Sequence, residues 1–140
     1  MTNNEAAPII DRLIVGMTEC YEQTITDADI KAFAVFSGDN NPVHMSVEYA
    51  EKSRFKKRIA HGLLSASFFS ALFGTKLPGY GCIYVSQSLN FLRPVYIGDT
   101  VKATIEIIKI DRSRSRVFFK TVCKVMGKVV IDGEAEIFVP

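Results

Sequence analysis

The segment Gly38-Asp39-Asn40-Asn41-Pro42-Val43-His44 sets a carboxylate and one of only two histidines five residues apart. Pro42 pushes Asn41 towards extended geometry, so the segment cannot be helical throughout. On such a bend a carboxylate and an imidazole can converge on one small group, such as a water. That is the equipment of general acid–base chemistry, in which one group takes a proton and another orients or returns it. The bland reading of Asp39 is a turn residue, because Asp and Asn stabilise turns through their own backbone. Asp39 follows a helix end, however, where the macrodipole disfavours a negative charge, so helix stability is a poor reason for an acid there.

The second histidine stands in Ile59-Ala60-His61-Gly62, at the mouth of a long apolar run. Gly62 opens that run, where a helix points free N–H groups and its positive dipole end outwards. Lacking a side chain, Gly62 lets an oxygen approach its amide closely. Tight packing of the helix start is an equally good reason for a glycine there. His61 reads as a structural anchor for the loop.

These groups need elements to hold them. Thr26, followed by Asp27 and Asp29, reads as a helix cap with acids in the first turn. Ile30, Phe33, Ala34 and Ser37 continue at helical spacing to a stop at Gly38. Ser46 caps a further short helix. From Gly62 to about Lys76 almost no polar face is left, which predicts a helix buried on most sides. Leu13–Val15 and Tyr21–Ile25 are short strand candidates, and Ile83–Phe91 is strand-like. Val101, Ala103, Ile105 and Ile107 alternate with polar residues. Val117–Met126 and Val129–Val139 follow, with a hairpin turn at Gly127-Lys128 and a bulge or second turn at Asp132-Gly133. One buried helix followed by consecutive antiparallel strands implies an α+β domain whose sheet wraps that helix.

Size and composition limit the alternatives. A chain of 140 residues is one domain, read as spanning 1–140, with 48% hydrophobic and 23% charged residues. A net charge of +2 gives no strong case for nucleic acid or membrane binding. Cys20, Cys82 and Cys123 lack a C-x-x-C spacing, which argues against a disulfide framework or structural zinc and suits a reducing compartment. Two histidines cannot supply a three-histidine zinc site. Met1–Glu5 lacks the basic and apolar blocks of a signal peptide, and Gly62–Phe73 is too short to cross a bilayer. The expectation is a soluble cytoplasmic protein with no metal.

Asp39-Asn40-Asn41-Pro42-Val43-His44 followed by Ile59-Ala60-His61-Gly62-Leu63 resembles the hydratase motif of the MaoC-like branch of hotdog-fold proteins. Ser88-Leu89-Asn90-Phe91, Pro94-Val95 and Gly98-Asp99 are similar to that family's later strand and turn. In length and layout the chain resembles the short (R)-specific enoyl-CoA hydratases of the polyhydroxyalkanoate type. The resemblance implies a hotdog fold, a homodimer and syn addition of water to a trans-2-enoyl thioester. It implies no metal or organic cofactor, with coenzyme A present only as part of the substrate. It makes Asp39 the base and His44 the group that orients the water, with the proton to C2 coming from either. It makes the Gly62 amide the oxyanion donor, and Ser70, on the buried helix, a supporting residue near the pair.

The basic runs Lys52 to Arg58 and Arg112 to Arg116 read as solvated surface that could also meet the phosphates of coenzyme A. Phe33, Phe36, Phe68, Phe69 and Phe73 read as core, part of which lines an acyl tunnel suited to short chains. Other functions compatible with the sequence are a 3-hydroxyacyl dehydratase acting on acyl carrier protein, a hotdog thioesterase and a non-catalytic acyl-binding module. The last is disfavoured because binding alone needs neither Asp39 nor His44.

Overall fold

Alternating burial along the C-terminal half builds one antiparallel sheet in the computed structural model, which describes residues 8–140. The Met1–Glu5 stretch read for a leader lies outside the described residues. The strands are β1 (Thr18–Thr24), β2 (Ile83–Gln87), β3 (Asn90–Phe91), β4 (Thr100–Asp111), β5 (Arg116–Val125) and β6 (Lys128–Phe138). Their order across the sheet is β1-β4-β5-β6-β2, with β3 also pairing to β6. Val101, Ala103, Ile105 and Ile107 of β4 all point to the core, as period-two alternation requires. Met126 and Gly127 close the β5–β6 hairpin with φ of 50° and 78°. Positive φ at both central residues matches the twist of the flanking strands.

Among the described residues the α-helices are α1 (Asp27–Ser37), α2 (Pro42–Met45), α3 (Val47–Lys52) and α4 (Gly62–Thr75). Thr26 and Asp29 form a reciprocal capping box on α1, and Gly38 ends that helix in the left-handed region at φ 79°. Such a cap contributes about 0.5–2 kcal/mol. α4 lies against β1, β4, β5 and β6 and buries Leu64, Phe68, Phe69, Leu72 and Phe73. Each such side chain contributes about 1.5–3 kcal/mol when fully buried.

Several expectations change in the folded chain. Leu13–Val15 is not a strand: a 3-10 turn at Ile9–Arg12 leads into it, and the Leu13 carbonyl accepts from Arg112 Nη2 at 3.1 Å. The Ile83–Phe91 stretch is broken at Ser88 and Leu89 into β2 and β3. The sheet covers only one side of α4, so Leu63, Ser70 and Ala71 are exposed in the single chain. Phe36 is 92% exposed, whereas Phe69 and Phe73 are core.

Asp132-Gly133 is neither a turn nor a break in pairing with β5, because β6 runs straight through it. Glycine is needed there for space: a Cβ on Gly133 would stand 1.8 Å from the Ser88 carbonyl oxygen. The Ser88 loop is pinned at that spot by its N–H, which donates to the Glu134 carbonyl at 2.8 Å. Gly133→Ala should therefore push the loop off β6 and destabilise the fold by roughly 1–3 kcal/mol, as overpacking does. Denaturant unfolding reads this directly, and an unchanged midpoint would contradict the close approach.

Candidate active site

The loop between α1 and α2 carries Asp39, and α2 carries His44. Asn41 leaves the helical region at φ −49° and ψ 126°, and its side chain caps α2 by accepting from the Val43 N–H. Asp39 Oδ1 accepts the Asn41 N–H at 3.1 Å, so one carboxylate oxygen shapes the bend. The turn role and the chemical role are thus both open to the same side chain.

His44 is 8% exposed, and its Nδ1 meets the Ile59 carbonyl at 2.7 Å. A carbonyl can only accept, so Nδ1 carries the hydrogen, and Nε2 of the neutral ring carries the lone pair. Burial is the main cause holding the His44 pKa below its usual 6.5; the Ile59 bond opposes it, and nearby His61 and Asp39 act as smaller, opposed influences. Arg58 fixes the helix that bears His44. Its Nε donates to the His44 carbonyl at 2.6 Å and its guanidinium pairs with Asp27 of α1 at 2.8 Å. Arg58 is therefore a brace and not a free surface cation.

His61 precedes α4 and is 3% exposed. Its Nε2 donates to the Asp39 carbonyl at 2.8 Å, and its ring stacks on His44 with centroids 4.0 Å apart. The Ala60 N–H donates to the Val95 carbonyl at 2.7 Å, tying the entry to α4 to the loop after β3. No side chain caps α4; the Leu64 N–H donates to the His61 carbonyl at 3.1 Å, and the N–H groups of Gly62 and Leu63 are the ones open to an incoming acceptor. At Gly62 an added Cβ would lie 2.5 Å from Phe91 Cε1. Both readings of Gly62 therefore have physical content: it admits the Phe91 ring and leaves the amide uncovered.

Asp39, His44, His61 and Gly62 all line one cavity of about 630 Å³. Asp39, His44 and His61 each present a donor atom within 4.8 Å of the others, a set that would suit a water or a small cation. Ser70 is not brought to this group. It is exposed on α4 and lies outside the cavity, and the α4 serine that lines it is Ser65, roughly 140° round the helix. Ser70 was implied by the family resemblance, not by the helix's own pattern, which is apolar on nearly all faces. Sequence reasoning also missed Arg93 and Phe91, whose loop reaches the cavity only through pairing with β6.

A sheet packed along one long helix, with a carboxylate and two imidazoles gathered at that helix's uncapped N-terminus, defines a hotdog domain. The family described as MaoC like domain matches residues 16–133. The chain belongs to that family. It is 51% identical to the (R)-specific enoyl-CoA hydratase of Rhodospirillum rubrum, covering 89% of this chain and 87% of that protein. It is 44% identical to the 3-hydroxybutyryl-CoA dehydratase of Methylorubrum extorquens, covering 91% and 82%. The solved (R)-hydratase of Aeromonas caviae involved in PHA biosynthesis superposes with a TM-score of 0.89 at 36% identity, covering 91% and 98%.

The depressed His44 pKa makes folding stability depend on pH. The unfolded chain binds that proton more readily than the folded one, so this contribution to stability is present above 6.5 and is lost as pH falls from there towards the folded pKa. In a proton NMR titration, assigned by the loss of one ring signal in His44→Gln, His44 should titrate with a midpoint below 6.5. A midpoint above that value would show that the buried, neutral ring is misassigned.

Proposed function

We propose that this protein reversibly adds water in syn fashion to trans-2-enoyl-CoA, giving (R)-3-hydroxyacyl-CoA. The observation that carries the reading is the convergence of Asp39 and His44 beside the uncapped start of α4. The free carboxylate oxygen and His44 Nε2 are two acceptors, matched to the two O–H bonds of one water. Asp39 takes a proton as the water oxygen bonds to C3. The pair then returns a proton to C2 from the same face, so H and OH add on one side. Charge that develops on the thioester oxygen is met by the Gly62 N–H, assisted by the positive end of α4. Base, proton relay and electrophile all come from the chain, so the reaction needs neither metal nor organic cofactor.

Coenzyme A is the favoured carrier because Arg54 and Arg93 line the cavity. Neither forms an ion pair with an acid among the described residues. Short acyl groups are favoured by Phe69 and Phe73, which are fully buried beneath α4 and leave no depth in the core for a long tail. A cytoplasmic setting is supported by three free cysteines. Among the described residues no helix is long and apolar enough to cross a membrane.

The direct test follows the loss of conjugated enoyl-thioester absorbance with but-2-enoyl-CoA, with chiral analysis of the product. (R)-3-hydroxybutyryl-CoA is expected. Preference for the acyl-carrier-protein thioester would move the assignment to a carrier-dependent dehydratase, and release of free thiol from a saturated acyl-CoA would make it a thioesterase. Asp39→Asn and His44→Gln should each lower kcat by about 10²–10⁴-fold. The double variant should lose much less than the product of the two, because members of one catalytic unit are non-additive.

A homodimer is supported by the outer strand β2, where Ile83, Tyr84 and Val85 are 58%, 39% and 44% exposed. An unpaired apolar edge invites a second copy. Sedimentation at micromolar concentration should give about twice the 15.6 kDa chain mass. A fully active monomer would rule out this assembly.

A further inference from the structure

Ser65 is 1% exposed, lines the cavity, and its Oγ has no hydrogen-bond partner among the described residues. This is unusual for a helical serine. Its ordinary outlet is the carbonyl one turn back, and Ser67 and Thr75 of the same helix use that outlet, donating to Leu64 and Ala71. A buried hydroxyl left without its hydrogen bond works against the fold. Alanine at this position would avoid the penalty with little change in volume. The hydroxyl therefore calls for a ligand-side explanation.

Its placement supplies one. Ser65 is three residues beyond Gly62, so the two share a face of α4, one turn apart. A helical Cα–Cβ bond tilts towards the N-terminus, which carries the Ser65 side chain back over the turn that begins at Gly62. That turn has no side-chain cap. Two independent features, an uncapped helix start at Gly62 and a buried unpartnered hydroxyl at Ser65, thus lie in the lining of the same cavity.

We infer that the Ser65 hydroxyl is a second donor to the substrate's thioester oxygen, forming with the Gly62 N–H a two-donor oxyanion site. The inference rests on the hydratase reading above and adds a catalytic residue to it. As water adds at C3, electron density moves from the double bond through C2 onto the thioester oxygen, giving an enolate. Both donors shorten onto that oxygen, and the charge returns to C2 when the proton arrives. The Ser65 proton is shared but not transferred, so the hydroxyl leaves the cycle unchanged. The hydrogen bond is worth most in the enolate, so its loss should appear in kcat more than in KM.

The test uses the full chain with but-2-enoyl-CoA and with a chromophoric analogue, a 4-(dimethylamino)cinnamoyl-CoA, whose absorbance moves to the red when its carbonyl is polarised. Ser65→Ala should fold with unchanged or raised Tm. It should lose about 10²–10³-fold in kcat, the usual result of removing one oxyanion donor. The red shift of the bound analogue should shrink as well. Ser65→Thr and Ser65→Val form a second pair, alike in shape and differing in the hydroxyl, should alanine disturb the fold. Threonine should then exceed valine in both kcat and red shift. Equal kcat and equal red shift across wild type and Ser65→Ala, or across the Thr and Val variants, would overturn the inference. Absence of hydration by the wild-type protein would instead defeat the hydratase reading itself, which the Ser65 comparison leaves distinguishable.

Discussion

Two hydrogen bonds hold the two halves of the site in register, and each runs from a histidine of one motif to the backbone of the other. His44 Nδ1 donates to the carbonyl of Ile59, and His61 Nε2 donates to the carbonyl of Asp39. Loops separated by about fifteen residues are thereby clasped in both directions, with the imidazole rings stacked between them. Because both acceptors are carbonyls, the clasp also decides where the ring hydrogens sit. Position and protonation are fixed by the same contacts. Arg58 extends the arrangement by tying the His44 carbonyl to Asp27, which brings the start of α1 into the support of the site.

Electrostatics follow from that geometry. The start of α4 is a positive end without a cap, and the two imidazoles lie next to it in a mostly apolar enclosure. Burial disfavours a charged His44 imidazolium, which is why its pKa lies below the usual value. An anion at the same place is favoured by the dipole. The pocket therefore favours a neutral His44 and a negative ligand atom at the helix start.

Local signals in the sequence were reliable where one short segment determines its own geometry. Thr26 with Asp29 specified the start of α1, Gly38 its end, and Asn41-Pro42 the bend that presents Asp39 and His44. The paired motifs named the family because both were present at once. Features that depend on distant partners were not legible. The break between β2 and β3 reflects two separate pairings with β6, and Gly133 is a glycine because the Ser88 carbonyl presses on it from another part of the chain. α4 shows the limit most clearly. Its apolar residues occupy nearly every face, so the sequence announced burial without saying which side faced the sheet; Ser70 came from the family resemblance alone, and in the single chain it is Ser65 that lines the cavity.

The same helix explains how a small domain can maintain unpaired polar groups. Ser65 Oγ and His61 Nδ1 lie at one end of it without hydrogen-bond partners among the described residues, beside a helix start that no side chain caps. Each unmade bond is worth about 1–3 kcal/mol against the fold. Along the remainder of the helix, Phe68, Phe69, Leu72 and Phe73 are buried against the sheet, and Phe73 meets Phe119 edge-on at 4.7 Å. Those residues stabilise the helix by several times the penalty of a single orphaned group. The division is spatial: adhesion is concentrated in the body of α4 and unsatisfied polar groups at its mouth. On the oxyanion reading inferred above, a substrate oxygen meets the Ser65 hydroxyl there without any protein hydrogen bond of that hydroxyl having to break first. Pre-organisation of this kind places the energetic burden in folding and removes it from the chemical step.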